Sequence, residues 1–163
     1  MINSTLCYII RDGKYLMLHR VKKENDCNKD KWIGIGGKFI DGESPEECMK
    51  REVFEETGLE IASYQYRGIV TFVSDKWETE FMHLFTSDSF TGEPKDSKDC
   101  DEGNLEWVDI EKVPDLPLWE GDKLFLDLLP RDIPFFSMKL KYEGEKLVFA
   151  SLDGKIIKNA EGR

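Results

Sequence analysis

Three glutamates, Glu52, Glu55 and Glu56, stand at spacings of i, i+3 and i+4 in a stretch that reads as a helix. On a helix such spacings bring side chains to one face, where like charges repel by roughly 0.2–0.5 kcal/mol per pair. The cluster is either a solvated acidic face or the oxygen-rich ligand set of a hard divalent cation, which would remove the repulsion. Two features favour the cation. The acids lie toward the helix C-terminus, where the macrodipole disfavours negative charge. They also follow Trp32-Ile33-Gly34-Ile35-Gly36-Gly37-Lys38, a glycine-rich run whose backbone must bend or come close to another group.

The elements that must hold these acids are legible around them. Ser44 is placed as an N-cap, Pro45 at the first helical position and Glu47 to close a capping box, so a helix should run from Pro45 to about Thr57. Gly58 fits its C-terminal stop. Cys48, Met49, Val53 and Phe54 are spaced to form one buried stripe. Upstream, Thr5–Ile10 and Lys14–Arg20 read as strands joined at the turn Asp12-Gly13. The polar stretch Lys22–Lys31 reads as an exposed loop.

Downstream, Ile69–Val73, Phe81–Thr86 and Leu105–Val108 read as strands. A second helix is expected over about Trp119–Leu129, burying Leu124, Phe125, Leu128 and Leu129. The stretch from Phe135 to about Leu152 carries two more strand-like runs, turning at Glu143-Gly144. Strands before, between and after two helices imply an α/β (α+β) fold, a mixed sheet with helices packed on its faces. No repeat, linker or low-complexity stretch divides the chain, so residues 1–163 are expected to form a single domain.

Composition narrows the partners. A net charge of -10 and a pI near 4.8 disfavour a nucleic-acid polymer, whose phosphates such a surface would repel. A small phosphate ligand remains compatible once divalent cations stand between the two sets of anions. Cys7, Cys27, Cys48 and Cys100 are scattered without a C-x-x-C pair, and His19 and His83 stand alone, so neither a zinc site nor a disulfide framework is indicated. The chain shows no apolar run of about 18 residues and no signal peptide at its N-terminus, which gives the expectation of a cytoplasmic protein without a membrane partner. Oligomeric state is not legible.

Residues 37–59 carry Gly37, Glu43, Arg51, Glu52, Val53, Glu55, Glu56, Gly58 and Leu59, which match the pattern G-x5-E-x7-R-E-U-x-E-E-x-G-U at every specified position. The chain thereby resembles the Nudix hydrolases, and a solvated acidic face no longer accounts for the cluster. The resemblance implies the Nudix fold, a mixed sheet sandwiched between helices, and hydrolysis of a phosphoanhydride in a nucleoside diphosphate derivative. It implies that Glu52, Glu55 and Glu56 hold Mg2+, with Mn2+ as a possible substitute, aided by a backbone carbonyl at Gly36 or Gly37. The cation neutralises phosphate oxygens and lowers the pKa of a bound water. Arg51 would orient a box carboxylate, and Glu43 would support the loop–helix junction. Glu102, in the acidic loop Asp99–Glu102, matches by position an acid that binds metal or acts as base.

Trp32-x-Gly-x-Gly-Gly-Lys38, the segment Trp119-Glu120-Gly121-Asp122 and Phe135-Phe136-Ser137 resemble the MutT-like 8-oxo-dGTP diphosphatases, particularly bacterial ones. In that light Trp119 is a stacking face for a purine and Asp122, three residues on, a reader of the base edge. The alternative for Trp119 is a core-facing helix residue. Arg20 and Lys38 are candidates for phosphate contacts, or else solvated surface charges. Ile33 stands at a base-facing position where animal members of the branch have Asn, and Gly121-Asp122 where they have two aspartates. Ile33 cannot hydrogen-bond a base.

Two rival readings stand beside this one. Other Nudix substrates are dinucleoside polyphosphates, ADP-ribose, coenzyme A derivatives and capped RNA. The Tyr or Pro that marks the first two beyond the box is absent from Ser74-Asp75-Lys76-Trp77. The second rival is a nucleotide-sensing module without activity, which typically loses box acids that are all present here.

Overall fold

The computed structural model describes residues 1–96 and 99–161. In chain order the elements are β1 (Ile2–Arg11), β2 (Lys14–His19), β3 (Trp32–Ile33), β4 (Ile35–Lys38), α1 (Pro45–Thr57), β5 (Glu60–Ser74) and β6 (Glu80–Thr91). They continue with β7 (Asn104–Asp109), a 3-10 segment (Ile110–Asp115), α2 (Asp122–Leu128), β8 (Phe136–Glu143), β9 (Lys146–Leu152) and β10 (Lys155–Asn159).

β1 organises the sheet. Its residues Ser4–Cys7 pair antiparallel with β4 and parallel with β6, while Ile10 and Arg11 at its far end pair with β2. The sheet therefore opens into two leaves, one running β4-β1-β6-β5-β8-β9-β10 and the other carrying β2 between β3 and β7. The β1–β2 turn is made by Asp12 and Gly13, both at positive φ (52° and 72°), the left-handed pair that a two-residue hairpin requires.

Ser4 through Ile9 are all buried, as befits a strand covered on both faces. Thr5 faces α1, its hydroxyl 3.5 Å from the Cys48 thiol. Tyr8 looks the other way, toward Tyr15 and Phe125 of α2, at ring-centre distances of 5.3 and 6.2 Å. This is the mixed sheet between helices that the box implied.

α1 forms as its sequence dictates. The Ser44 hydroxyl accepts from the Glu47 N–H, and the Glu47 carboxylate accepts from the Ser44 N–H at 2.9 Å. Gly58 closes the helix at φ 82°, donating its N–H to Phe54 O. The buried stripe consists of Cys48, Met49, Val53, Glu56 and Thr57. Phe54 is a correction: it is 53% exposed, because the inward arc of α1 runs from Val53 to Glu56 and passes it by.

The second helix is shorter than expected. It begins at Asp122, so Trp119 precedes it in a turn. Phe125, Leu126 and Leu129 are buried whereas Leu124 and Leu128 are only half-buried. β5 reaches back to Glu60 and β10 follows Leu152, two strand segments whose outward residues gave no apolar pattern. No helix among the described residues is long and apolar enough to cross a membrane.

Candidate active site

The N-terminal part of β1, β4 and the turn before α2 enclose a cavity of about 460 Å3. Gly36 and Gly37 wall one side; Ile33, Phe72, Trp119 and Asp122 line it elsewhere. The glycines are required by close approach. A Cβ on Gly36 would lie 1.7 Å from Thr5 O, and one on Gly37 would lie 2.5 Å from the Glu52 carboxyl. The same short strand thus touches both the cavity and the acids of α1.

Arg51 organises those acids. Its Nε and Nη2 donate to the two oxygens of Glu43 at 2.6 and 2.9 Å, and Nη2 also donates to Lys38 O at 3.1 Å. Its Nη1 donates to Glu52 at 2.7 Å and to Glu55 at 3.1 Å. The Arg51 hydrogen bond, with that of the Ile40 N–H, holds the Glu43 carboxyl well below the usual carboxylate range. One guanidinium therefore ties the loop before α1 to the helix and fixes two box carboxylates.

The three acids divide into a pair on Arg51 and an inward-turned Glu56. Among the described residues no group of three or more His, Cys, Asp or Glu side chains is gathered to hold a metal ion. Arg51 Nη1 holds Glu52 and the largely exposed Glu55 together. Glu56 turns inward instead. It is buried, and its Oε2 has no hydrogen-bond partner. Burial first, then the charges of Glu52 and Glu102, raise its pKa to about 8, with Arg20 and the Gly36 backbone opposing. A buried, partnerless carboxylate oxygen beside further acids is a donor set that suits a hard divalent cation.

Arg20 lies in this neighbourhood but is already engaged. Its side chain is mostly buried, with Nε donating to Asp26 at 2.6 Å and Nη2 paired with Glu102 at 3.1 Å. Glu102 also accepts from Lys23 at 2.9 Å. Lys38, at the end of β4, is exposed and lines the cavity.

At the aromatic end, Trp119 is only 5% exposed and belongs to the core as well as to the cavity wall. Phe72 and Tyr142 meet it edge-on at 5.4 and 4.8 Å, and Lys31 Nζ lies 4.9 Å over its ring. Tyr142 Oη also accepts from the Gly121 N–H at 2.7 Å, which pins the turn that presents Asp122. The Asp122 carboxyl has no hydrogen-bond partner among the described residues. Burial raises its pKa to about 7, Lys31 opposing. Trp119 and Asp122 are thus brought together by a turn rather than by one helix. Ile33 supplies an apolar wall.

The stretch Lys22–Lys31 is not simply an exposed loop. Asn25 through Asn28 line the cavity, and Trp119 Nε1 donates to Asn28 Oδ1 at 2.8 Å. Asn28, Phe72 and Tyr142 were not legible as site residues, because only chain folding brings them to Trp119. Cys7, Cys27, Cys48 and Cys100 are all free.

A NUDIX domain model matches residues 2–129. The chain belongs to the Nudix family. Among its relatives, an oxidized purine nucleoside triphosphate hydrolase of Danio rerio is 32% identical over 146 residues, 88% of each chain. The uncharacterized Nudix hydrolase YvcI of Bacillus subtilis is 33% identical over 129 residues, 77% of each. A mutator MutT protein from Bacillus halodurans superposes with a TM-score of 0.83 at 25% identity, over 95% of this chain and 99% of that one. This Nudix hydrolase accordingly sits with the MutT-like members. Hydrolases of the family use divalent metal ions and act on small nucleotide substrates.

Proposed function

We propose that this Nudix hydrolase cleaves 8-oxo-dGTP to 8-oxo-dGMP and pyrophosphate with Mg2+, clearing oxidised purines from the cytoplasmic nucleotide pool before they enter DNA. The observation that carries the reading is the cavity itself. It places a buried, partnerless Asp122 and the Trp119 indole in the same enclosure as the Gly36–Gly37 backbone, whose other contact is a box glutamate. The similarity to an oxidized purine nucleoside triphosphate hydrolase of Danio rerio supports the same substrate class.

The chain's own groups divide the work. Asp122, with its pKa near 7, exists at neutral pH both as an acid that donates and as a carboxylate that accepts. Oxidation at C8 turns N7 of guanine from an acceptor into an N–H donor, so the ionised carboxylate, which can only accept, pairs with the oxidised base and not with guanine. Phe72, Trp119 and Ile33 exclude water from the base. Lys38 is free to approach phosphate, whereas Arg20 must exchange Asp26 or Glu102 for it.

Glu52, Glu55 and Glu56, with the Gly36 or Gly37 carbonyl and Glu102, are the groups that would hold Mg2+. When bound, the ion would neutralise phosphate oxygens and acidify a water. Arg51 keeps Glu52 and Glu55 oriented, and the inward Glu56 offers its orphan oxygen.

The test is kcat/KM with Mg2+ across 8-oxo-dGTP, dGTP, 8-oxo-GTP, ADP-ribose and diadenosine tetraphosphate, with products identified. We expect 8-oxo-dGTP to lead and to yield pyrophosphate. A leading ADP-ribose or diadenosine tetraphosphate, or direct release of orthophosphate from 8-oxo-dGTP, would overturn the assignment.

A further inference from the structure

The segment joining β2 to β3 returns across the aromatic end of the cavity and is tied down there. The Trp32 N–H donates to Pro117 O at 2.9 Å, Lys31 Nζ covers the Trp119 ring, and Trp119 Nε1 donates to Asn28 Oδ1 at 2.8 Å. The last bond has a chemical consequence. An indole N–H can only donate, so it fixes which end of the Asn28 amide faces Trp119. The oxygen takes the indole, and the amide Nδ2 is turned away from it. Asn28 lines the cavity, and its Nδ2 has no hydrogen-bond partner among the described residues. Two N–H donors are left on a residue that lines the same cavity as the partnerless Asp122.

We propose that Asn28 is a specificity-determining residue that donates from Nδ2 to the six-position carbonyl of a purine, selecting guanine-type over adenine-type bases. This rests on the reading of the cavity as a purine site given above. A guanine-type edge presents an acceptor oxygen at that position, and an adenine-type edge presents an amino group. The amino group would put donor against donor in an enclosed site and leave both unpaired, the situation in which polar pockets discriminate most strongly. Ile33, on the glycine-rich run, supplies no polar contact, whereas Asn28 of the preceding loop lines the same cavity with its amide fixed by Trp119. The Trp119 bond is what holds that amide in register.

The experiment separates donor from latch. Asn28→Asp keeps an oxygen for Trp119 Nε1 but replaces the donor with an acceptor, whereas Asn28→Ala removes both. Activities on 8-oxo-dGTP and 8-oxo-dATP are compared as a ratio of kcat/KM. The Trp119 indole N–H resonance, assigned by its loss in Trp119→Phe, reports the latch independently of turnover. We expect the guanine-to-adenine ratio to fall at least about tenfold in Asn28→Asp, with the indole resonance retained there and displaced in Asn28→Ala. An unchanged ratio in Asn28→Asp overturns the donor role. So does a ratio that falls only together with a displaced indole resonance and to the same extent in both variants, since the effect then belongs to the latch. A wild-type enzyme that turns over neither oxidised purine overturns instead the reading of the cavity on which the proposal rests.

Discussion

Replacing Asp122 with Asn should stabilise the folded protein by an amount that grows with pH. Asp122 is 6% exposed, its carboxyl has no hydrogen-bond partner among the described residues, and burial raises its pKa from 3.8 to about 7. Between those two values the native state keeps a proton that the unfolded chain has released. Stability therefore falls as pH rises through that window, by about 1.4 kcal/mol per unit, and levels off above it. The full effect is at most about 4 kcal/mol, and about 2–3 kcal/mol of it should develop between roughly pH 5 and pH 8. Asn has nearly the same shape and does not titrate, so the stability difference between variant and wild type isolates this one group. Urea unfolding of both proteins at several pH values measures it. The difference should widen with rising pH and then become constant. A difference that stays flat across the window would refute the reasoning, because it would mean that Asp122 ionises as an ordinary carboxylate and that its burial does not govern its protonation.

Glu56→Gln should lower kcat by at least about a hundredfold, the scale of losing a principal electrostatic group, without loss of fold; near-normal turnover with an unchanged circular dichroism spectrum would contradict its role. Arg51→Met leaves Glu43 and Glu52 without their counter-charge and should destabilise the protein by about 1–3 kcal/mol in urea titration, an effect absent if the arginine served substrate alone. Phe54→Ser, on the outward face of α1, should shift stability by less than about 0.5 kcal/mol, whereas a core position would lose several times that. Activity should disappear with a chelator and return with Mg2+ or Mn2+; turnover that persists in chelator would exclude the metal assignment.

What the sequence determined by itself was local or covalently ordered. The capping box at Ser44 and Glu47, the stop at Gly58 and the Asp12-Gly13 hairpin each depend on residues a few positions apart, so their physics is complete within the segment. The box spacing likewise fixes which family the chain belongs to, since one short window holds Arg51 and all three acids. Strands showed themselves only where a face was buried. The early part of β5 from Glu60 is interrupted by register shifts, and β10 leaves Ile156 and Ile157 exposed side by side, so no regular alternation marked them.

The site itself was decided by tertiary structure. Helical spacing puts Glu52, Glu55 and Glu56 on neighbouring positions, but it cannot say that Arg51 claims two of them while Glu56 faces the interior. It depends also on β4, where Gly37 comes within contact of Glu52 while Gly36 lies against Thr5 of β1. Trp119 and Asp122 have their setting from Tyr142 and Phe72, and Asn28 reaches the indole across 91 positions of chain. Hydrogen bonds and burial of this kind arise between segments distant in sequence, and their energies exist only once the sheet has closed on its helices.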